Sequence, residues 1–555
     1  ASVLAVASVL SAPLAASGQY VDVPRAPAYA LQGVTVVQAD GTRRENVTVV
    51  VRGRFIEAIG PDLAIPADAE VLEGDSLMVY PGLIDAEGTA DHAFTQPEID
   101  RDQVELWDAP RSLQGFMPAR RLAAHLTATG EKTASQRKAG IVAAAVHPDG
   151  AMMPGRGALL LYRADAETPE ALVVRPELGP KLELRGGQGV YPATLFGVVA
   201  FLRQAFEDAR REAVVAAAHE RDPRGLTMPP YDPDYAVLRQ VLAGEATAFF
   251  EADDAADILR VLGLADEYGF RPVLMGGAEA WKVADELRRR SIPVLVATNF
   301  PDPRRWDPEE DEAEEEEAEE GPAEPLDAAA AREKREHEER WANAARLAEA
   351  GVTFALTSGG TGDLLKGARK AVEAGLPADA ALAAMTRTPA QLLGIPHVSR
   401  IEPGLPGTFI VTTGPLFEED TKVAYTFVEG LKTEGATPGA AAEAGDPSEA
   451  AAFGGTWAMT IDADGQVIQG TLTIEQDGAT FTGTLEMQGA RLPVRDGVIN
   501  GPEISCVAVM EQAGQSMEIR IEGTIDGDEA SGEADAGPLG VARWTARRTA
   551  PGGAR

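Results

Sequence analysis

Between Ile141 and Ala374 strand-length apolar runs alternate with helix-length amphipathic segments, and this rhythm constrains the fold more than any other feature. Residues 141–146, 247–251, 272–275, 293–297 and 352–357 are short, apolar and rich in β-branched or aromatic side chains, so they read as strands. Residues 195–218, 254–268, 278–289, 327–350 and 363–374 carry apolar positions at helical spacing. Strand and helix in strict alternation build a parallel sheet with helices packed on it. The expected class is therefore α/β, with a complete or distorted (β/α)8 TIM-like barrel over residues 81–400.

The segment ahead of this region, residues 20–80, is β in pattern: Thr35-Val36-Val37, the turn Asp40-Gly41, then Val47-Thr48-Val49-Val50-Val51 and Phe55-Ile56-Glu57-Ala58-Ile59. Residues 401–435 repeat that character in Thr408 to Thr412 and Val423 to Gly430. Residues 436–453 are Ala, Gly, Glu and Pro with few bulky apolar side chains, which reads as a linker. Residues 454–549 then alternate apolar and polar between glycine and aspartate turns, the pattern of an antiparallel β-module with one buried face. Trp457 and Trp544 are expected in its core.

The stretch Pro81-Gly82-Leu83-Ile84-Asp85 resembles the opening strand of the amidohydrolase superfamily. Tyr191-Pro192-Ala193-Thr194, Pro230-Tyr231-Asp232-Pro233 and Ala381 to Gly394 extend the resemblance to exported amidohydrolases related to imidazolonepropionase. It covers roughly residues 30–435. The resemblance implies a metal-binding barrel, a composite β-sandwich formed by the two flanking β segments, and hydrolysis of carbon–nitrogen bonds other than peptide bonds.

It also implies where the chemistry belongs. Side chains two apart on a strand share a face, so a His-x-His pair after Asp85 would grip one metal ion. Glu87 and Thr89 stand there instead. Glu251 takes the place of a histidine ahead of Ala252-Asp253, and the strand ending in Gly276-Gly277 offers no ligand. Gly359, in Leu356-Thr357-Ser358-Gly359-Gly360, occupies the expected position of the catalytic aspartate. A hydrolase that lowers the pKa of a metal-bound water and shuttles its proton needs those groups. The residues thus point to a degenerate homologue with no resident cofactor, which binds a ligand or partner without hydrolysing it.

The alternative is an active metal-dependent amidohydrolase that uses carboxylates. Asp85, Glu87, Glu251 and Asp253 would be its ligands, and an all-oxygen set suits Ca, Mg or Mn better than zinc. Other binding candidates at strand ends are His92, His147, Arg156 in the glycine-rich run 148–158, and Asp363 at the head of a helix. His125, His219, His337 and His397 fall in or beside helical sequence and carry no such expectation.

The formal charge of -37 excludes nucleic acid as a partner, since phosphate backbones are held by basic patches. Part of that charge is the run Glu309 to Glu320, in an acidic segment over 307–327 that reads as a solvated loop. Residues 1–19 read as a secretory signal, so the expected location is periplasmic or secreted. One cysteine, Cys506, allows no internal disulfide. No stretch reads as membrane-inserting, and the expected partners are an unknown small molecule or a paralogous amidohydrolase subunit within an oligomer.

Overall fold

In the computed structural model the described residues are 26–73, 76–94, 104–127, 129, 131–187, 189–225, 227–228, 230–300, 328–360, 363–435, 451–463, 466–487, 490–512, 515–535 and 541–551. The expected signal, the acidic segment 307–327 and most of the expected linker lie outside them. The first β segment holds β1 (Ala28–Val37), β2 (Arg43–Arg52), β3 (Phe55–Gly60), β4 (Glu70–Glu73) and β5 (Met78–Pro81). There follow β6 (Leu83–Asp85), β7 (Ile141–Val146), β8 (Gly155–Arg156), β9 (Ala158–Leu161), β10 (Val173–Arg175), β11 (Pro180–Glu183), β12 (Ala248–Ala252), β13 (Pro272–Gly276), β14 (Val294–Ala297) and β15 (Phe354–Thr357). The second β segment supplies β16 (Phe409–Thr412), β17 (Val423–Val428) and β18 (Leu431–Glu434).

The two β segments meet in one hydrogen-bonded sheet of eight strands, ordered β18-β17-β16-β5-β1-β2-β3 with β4 also on β1. The two segments expected to form a composite β-sandwich thus share one sheet. Its seam is the antiparallel pair β5/β16, where Val79 faces Val411. Breaks in register after Leu31 and Val34 let β1 pair with β4 along one half and β5 along the other. Leu31, Val49, Val51, Phe409, Val411 and Phe427 fill one core, with the rings of Phe409 and Phe427 stacked at 4.6 Å.

The α/β region contains a four-stranded sheet, β10-β9-β7-β6, and a six-stranded sheet, β15-β14-β13-β12-β11-β8. The ladders β6/β7 and β11 through β15 are parallel, as the alternation predicts. The segment carrying β8 and β9 runs against its neighbours, β9 on β7 and β8 on β11, and so joins the two sheets. Gly157 sits at that join, donating to the Gly179 carbonyl at 3.2 Å and accepting from Leu178 at 2.9 Å. At the far edge the chain after β15 returns to the chain after β6: Gly360 N–H donates to the Glu87 carbonyl at 2.8 Å.

These strands are buried on both faces, which is why they read as unbroken apolar runs. Ile84, Ala143, Phe249, Met275, Leu295 and Ala355 pack together on one side. Phe250, Leu274, Val294 and Leu356 pack on the other with Ile258, Val261, Leu287, Leu347 and Ala368 from the helices. Helix Ala255–Tyr268 begins at Asp254, whose carboxylate accepts from Asp257 N–H, and ends at Gly269 in the left-handed conformation. Two expected helices are broken. The first becomes a 3-10 turn, Ala280–Val283, followed by helix Ala284–Arg290. The second divides into Ala328–Trp341 and Asn343–Ala350. Both interruptions share a cause: buried Asn343 donates to the Gly277 carbonyl at 2.9 Å and accepts from Trp281 N–H at 3.1 Å. A tertiary lock of this kind overrides local helix propensity.

The C-terminal module is a closed antiparallel barrel of eight strands, each hydrogen-bonded to its sequence neighbour from Gly455–Ala463 round to Val541–Pro551. Closure leaves no strand edge to pair with another chain. Trp457, Leu472, Phe481, Leu485, Ile504, Ile521 and Trp544 lie in its core.

Candidate functional site

The parallel strands deliver a polar cluster to one end of the α/β sheets. Lys181 and Glu183 lie on β11, and Glu183 is level with Glu251 on β12. Glu87 follows β6, His147 follows β7, and Thr357 ends β15. The Lys181 ammonium stands 2.7 Å from Glu251 Oε2 and 3.3 Å from Glu183 Oε1, with the lysine side chain 9% exposed. Arg185 holds the other oxygen of Glu183 at 2.9 Å. Thr357 Oγ1 donates to Glu87 Oε2 at 3.3 Å.

Beneath this layer Asp85 is a brace. Its Oδ1 accepts from Glu87 N–H and from Ser358 N–H, each at 3.1 Å, so it ties the ends of β6 and β15 together. Its Oδ2 is buried without a hydrogen-bond partner, as are both ring nitrogens of His147. The His147 ring packs on Phe249 at 4.5 Å and against Gly157, where a Cβ would stand 2.5 Å from imidazole Cδ2.

Burial sets the electrostatics. It pushes the Glu87 carboxyl up to about 8, against the opposing pull of Lys181 and with Glu251 and Asp85 adding to the rise. Burial likewise raises Glu183, Asp85 and Asp253 above the ordinary carboxyl range. Burial, then the positive charge of Lys181, holds His147 down to about 3, so its imidazole is neutral. For Lys181 burial opposes the charge, yet Glu251, Glu183 and Glu87 outweigh it and keep the ammonium protonated.

The other sequence-selected residues make contacts within the fold. Asp253 Oδ1 lies 3.4 Å from Ala278 N, and a Cβ at Gly276 would approach that oxygen to 2.4 Å. His92 Nδ1 meets the Ala90 carbonyl at 3.0 Å and its ring abuts Phe94 at 5.0 Å. Arg156 pairs with Glu177 and donates to the Ala119 carbonyl at 3.2 Å. Asp363 caps helix Leu364–Glu373, accepting from Leu365 and Lys366 N–H at 2.9 and 3.0 Å. Gly359 has φ +65, and a Cβ there would stand 2.9 Å from Asn299 Cγ, so the backbone itself disfavours a side chain.

The profile of the amidohydrolase family matches residues 323–433. An amidohydrolase from Thermotoga maritima MSB8 superposes with a TM-score of 0.57 at 20% identity, covering 73% of this chain and 99% of that one. The amidohydrolase match thus covers the last helices of the α/β region and the second β segment, and the fold as a whole is similar to that of the Thermotoga protein. A prolidase complexed with N-methylphosphonate-L-proline aligns over 74% of this chain and all of its own, at 16% identity and a TM-score of 0.42. Molinate hydrolase aligns over 74% of this chain and 95% of its own, at 13% identity and a TM-score of 0.42. No curated protein sequence matches.

The divalent metal that the family resemblance implies can be tested against the donors this chain presents. Among the described residues no three His, Cys, Asp or Glu side chains gather closely enough to hold an ion. Where Glu183 and Glu251 approach each other, a protein ammonium already lies between them. A second positive charge at that point would be repelled. The donor set as folded does not fit a metal. Sequence reasoning passed over Lys181 and Glu183; the signal was the short run Pro180-Lys181-Leu182-Glu183 between Gly179 and Gly186-Gly187. Among the described residues no helix is long and apolar enough to cross a membrane.

Proposed function

We propose that this chain is an exported, degenerate amidohydrolase-superfamily protein of the imidazolonepropionase-like branch. In this reading the α/β sheets form a distorted (β/α)8 barrel, with the β8–β9 segment as its one reversed strand. The strand ends hold a small molecule or a paralogous subunit without hydrolysing a carbon–nitrogen bond, and the working form is an oligomer. The observation that carries the reading is the buried ammonium of Lys181 between Glu183 and Glu251. Support also comes from Gly359, whose conformation leaves no room for a proton-shuttling aspartate.

Elemental analysis of purified, tag-free protein tests it, before and after dialysis against a mild chelator. Metal content well below one ion per chain, with no chelator-sensitive hydrolysis of amide or cyclic-amide substrates, is the expected result. Near-stoichiometric metal, together with hydrolysis lost on substitution of Glu87 or Glu251, would replace this reading with that of a carboxylate-ligated hydrolase.

A further inference from the structure

Resting on that reading, we infer that Lys181 is the resident cation of the strand-end cluster: its ammonium replaces a divalent metal, and neutralising it opens a cation site between Glu183 and Glu251. Every element around the cluster bears on the claim. β11 contributes Lys181 and Glu183, with Arg185 just after it, and β12 contributes Glu251, with Asp253 just after it. The end of β6 contributes Asp85 and Glu87, the end of β7 contributes His147, and β15 contributes Thr357. Carboxylates outnumber cations in this set, so the cluster needs its lysine.

The geometry makes the exchange specific. An ion at the ammonium position would lie 2.7 Å from Glu251 Oε2 and 3.3 Å from Glu183 Oε1. Calcium takes oxygen ligands at roughly 2.3–2.6 Å, so a shift of a few tenths of an ångström at Glu251 and rather more at Glu183 would seat it. Arg185 holds Glu183 by its other oxygen and leaves Oε1 facing the lysine. His147 gives an independent sign of a site: it is 7% exposed, neither ring nitrogen has a partner, and it packs on Phe249, the residue level with Lys181. Calcium is a hard cation that takes oxygen ligands, so its partners would be the carboxylates, and the unpartnered imidazole marks polar space beside them. A tethered ammonium costs no binding entropy and releases nothing to a chelator, whereas a metal does both.

Thermal unfolding of the full chain in EDTA and in 5 mM calcium chloride, a concentration chosen to exceed the roughly 10⁻⁴–10⁻³ M affinities of weak oxygen sites, reads the difference. Wild type should melt at the same temperature in both. Lys181→Met should melt on the order of 5 °C lower in EDTA and recover at least half the loss in calcium. The double variant Lys181→Met with Glu251→Gln should lose that recovery. A folded Lys181→Met that ignores calcium overturns the inference. Should Lys181→Met not fold, Glu251→Gln alone decides: it keeps the lysine, so it should melt lower than wild type and gain nothing from calcium, and rescue by calcium or an unchanged melt would overturn the inference. Calcium stabilisation of wild type, or bound metal in it, defeats the proposed function instead.

Discussion

The strand-end cluster of the α/β region and the interior of the C-terminal barrel solve one problem in opposite ways. Both lie where several strands converge. The C-terminal barrel fills its interior with apolar side chains and plugs one end: Trp457 Nε1–H donates to the Phe453 carbonyl at 2.8 Å, and the Arg548 guanidinium lies 4.3 Å over the indole. The α/β region buries charge instead, and satisfies it only in part. An apolar interior gains its free energy from area and is indifferent to pH and ions. A charged interior is stable only while its charges stay balanced. The first arrangement suits a structural plug and the second a site.

The largest effect expected from this contrast is in the C-terminal barrel. Trp457→Ala removes a fully buried indole, a hydrogen bond and the surface under Arg548, and should cost about 3–5 kcal/mol. Calorimetry should show that loss in one transition. If the melt of the α/β region falls equally, the two cores are not separable units and the comparison fails.

Next in size is a pH dependence confined to the α/β region. A carboxyl whose folded pKa is raised keeps its proton in the folded state after the unfolded state has lost it. Its stabilisation is therefore complete below the unfolded value, near 4.5, and is lost as pH rises to about 8 for Glu87. His147 acts in the other direction: its depressed imidazole costs nothing above about 6.5, and stability falls as pH drops from there to about 3. The window from about 6.5 to 8 thus separates the raised carboxyls, Glu87 with Asp85, Glu183 and Asp253, from His147. Stability there should fall by roughly 1 kcal/mol per pH unit, and Glu87→Gln should flatten the slope. Chemical denaturation across that window checks it. The C-terminal barrel should show no such slope, since its buried thiol, Cys506, is pushed up to about 12 by burial.

How much of this was legible depended on whether neighbours or distant segments decide a residue's state. The helices with their caps at Asp254 and Asp363 follow from local pattern, because capping and amphipathic spacing act within a few residues. The parallel strands β12 to β15 follow for the same reason. β11 does not: a lysine and a glutamate flanking one leucine read as an exposed edge, and only the approach of β12 turns that run into a buried charge pair. The reversed β8–β9 segment was equally hidden, because it depends on Gly157 fitting beneath His147. The divided helix at Asn343 records a side chain reaching 66 residues back to Gly277. The site was therefore half readable, in its strand-end carboxylates and in Gly359, and its organising cation was not.

Smaller effects sharpen the division between scaffold and site. Gly359→Ala should cost about 1–2 kcal/mol, because φ +65 strains an L-residue and the new Cβ meets Asn299. Gly359→Asp should cost at least as much and create no hydrolase, since the cluster around Lys181 would be unchanged; any chelator-sensitive turnover would contradict that.

The smallest expected change separates a cap from a ligand-binding residue. Asp363 sits where a strand-end carboxylate would meet a ligand, yet its Oδ1 accepts from two N–H groups of the following helix. Replacement by alanine leaves both donors to water and should lower stability by about 1 kcal/mol, while serine, which also caps, should restore most of it. A binding carboxylate would behave otherwise. Its loss would show in ligand affinity, and serine, having no charge, would not repair it. Denaturation midpoints for the three proteins therefore assign Asp363 to one side of the comparison: recovery by serine places it in the scaffold, and equal loss in both variants places it in the site.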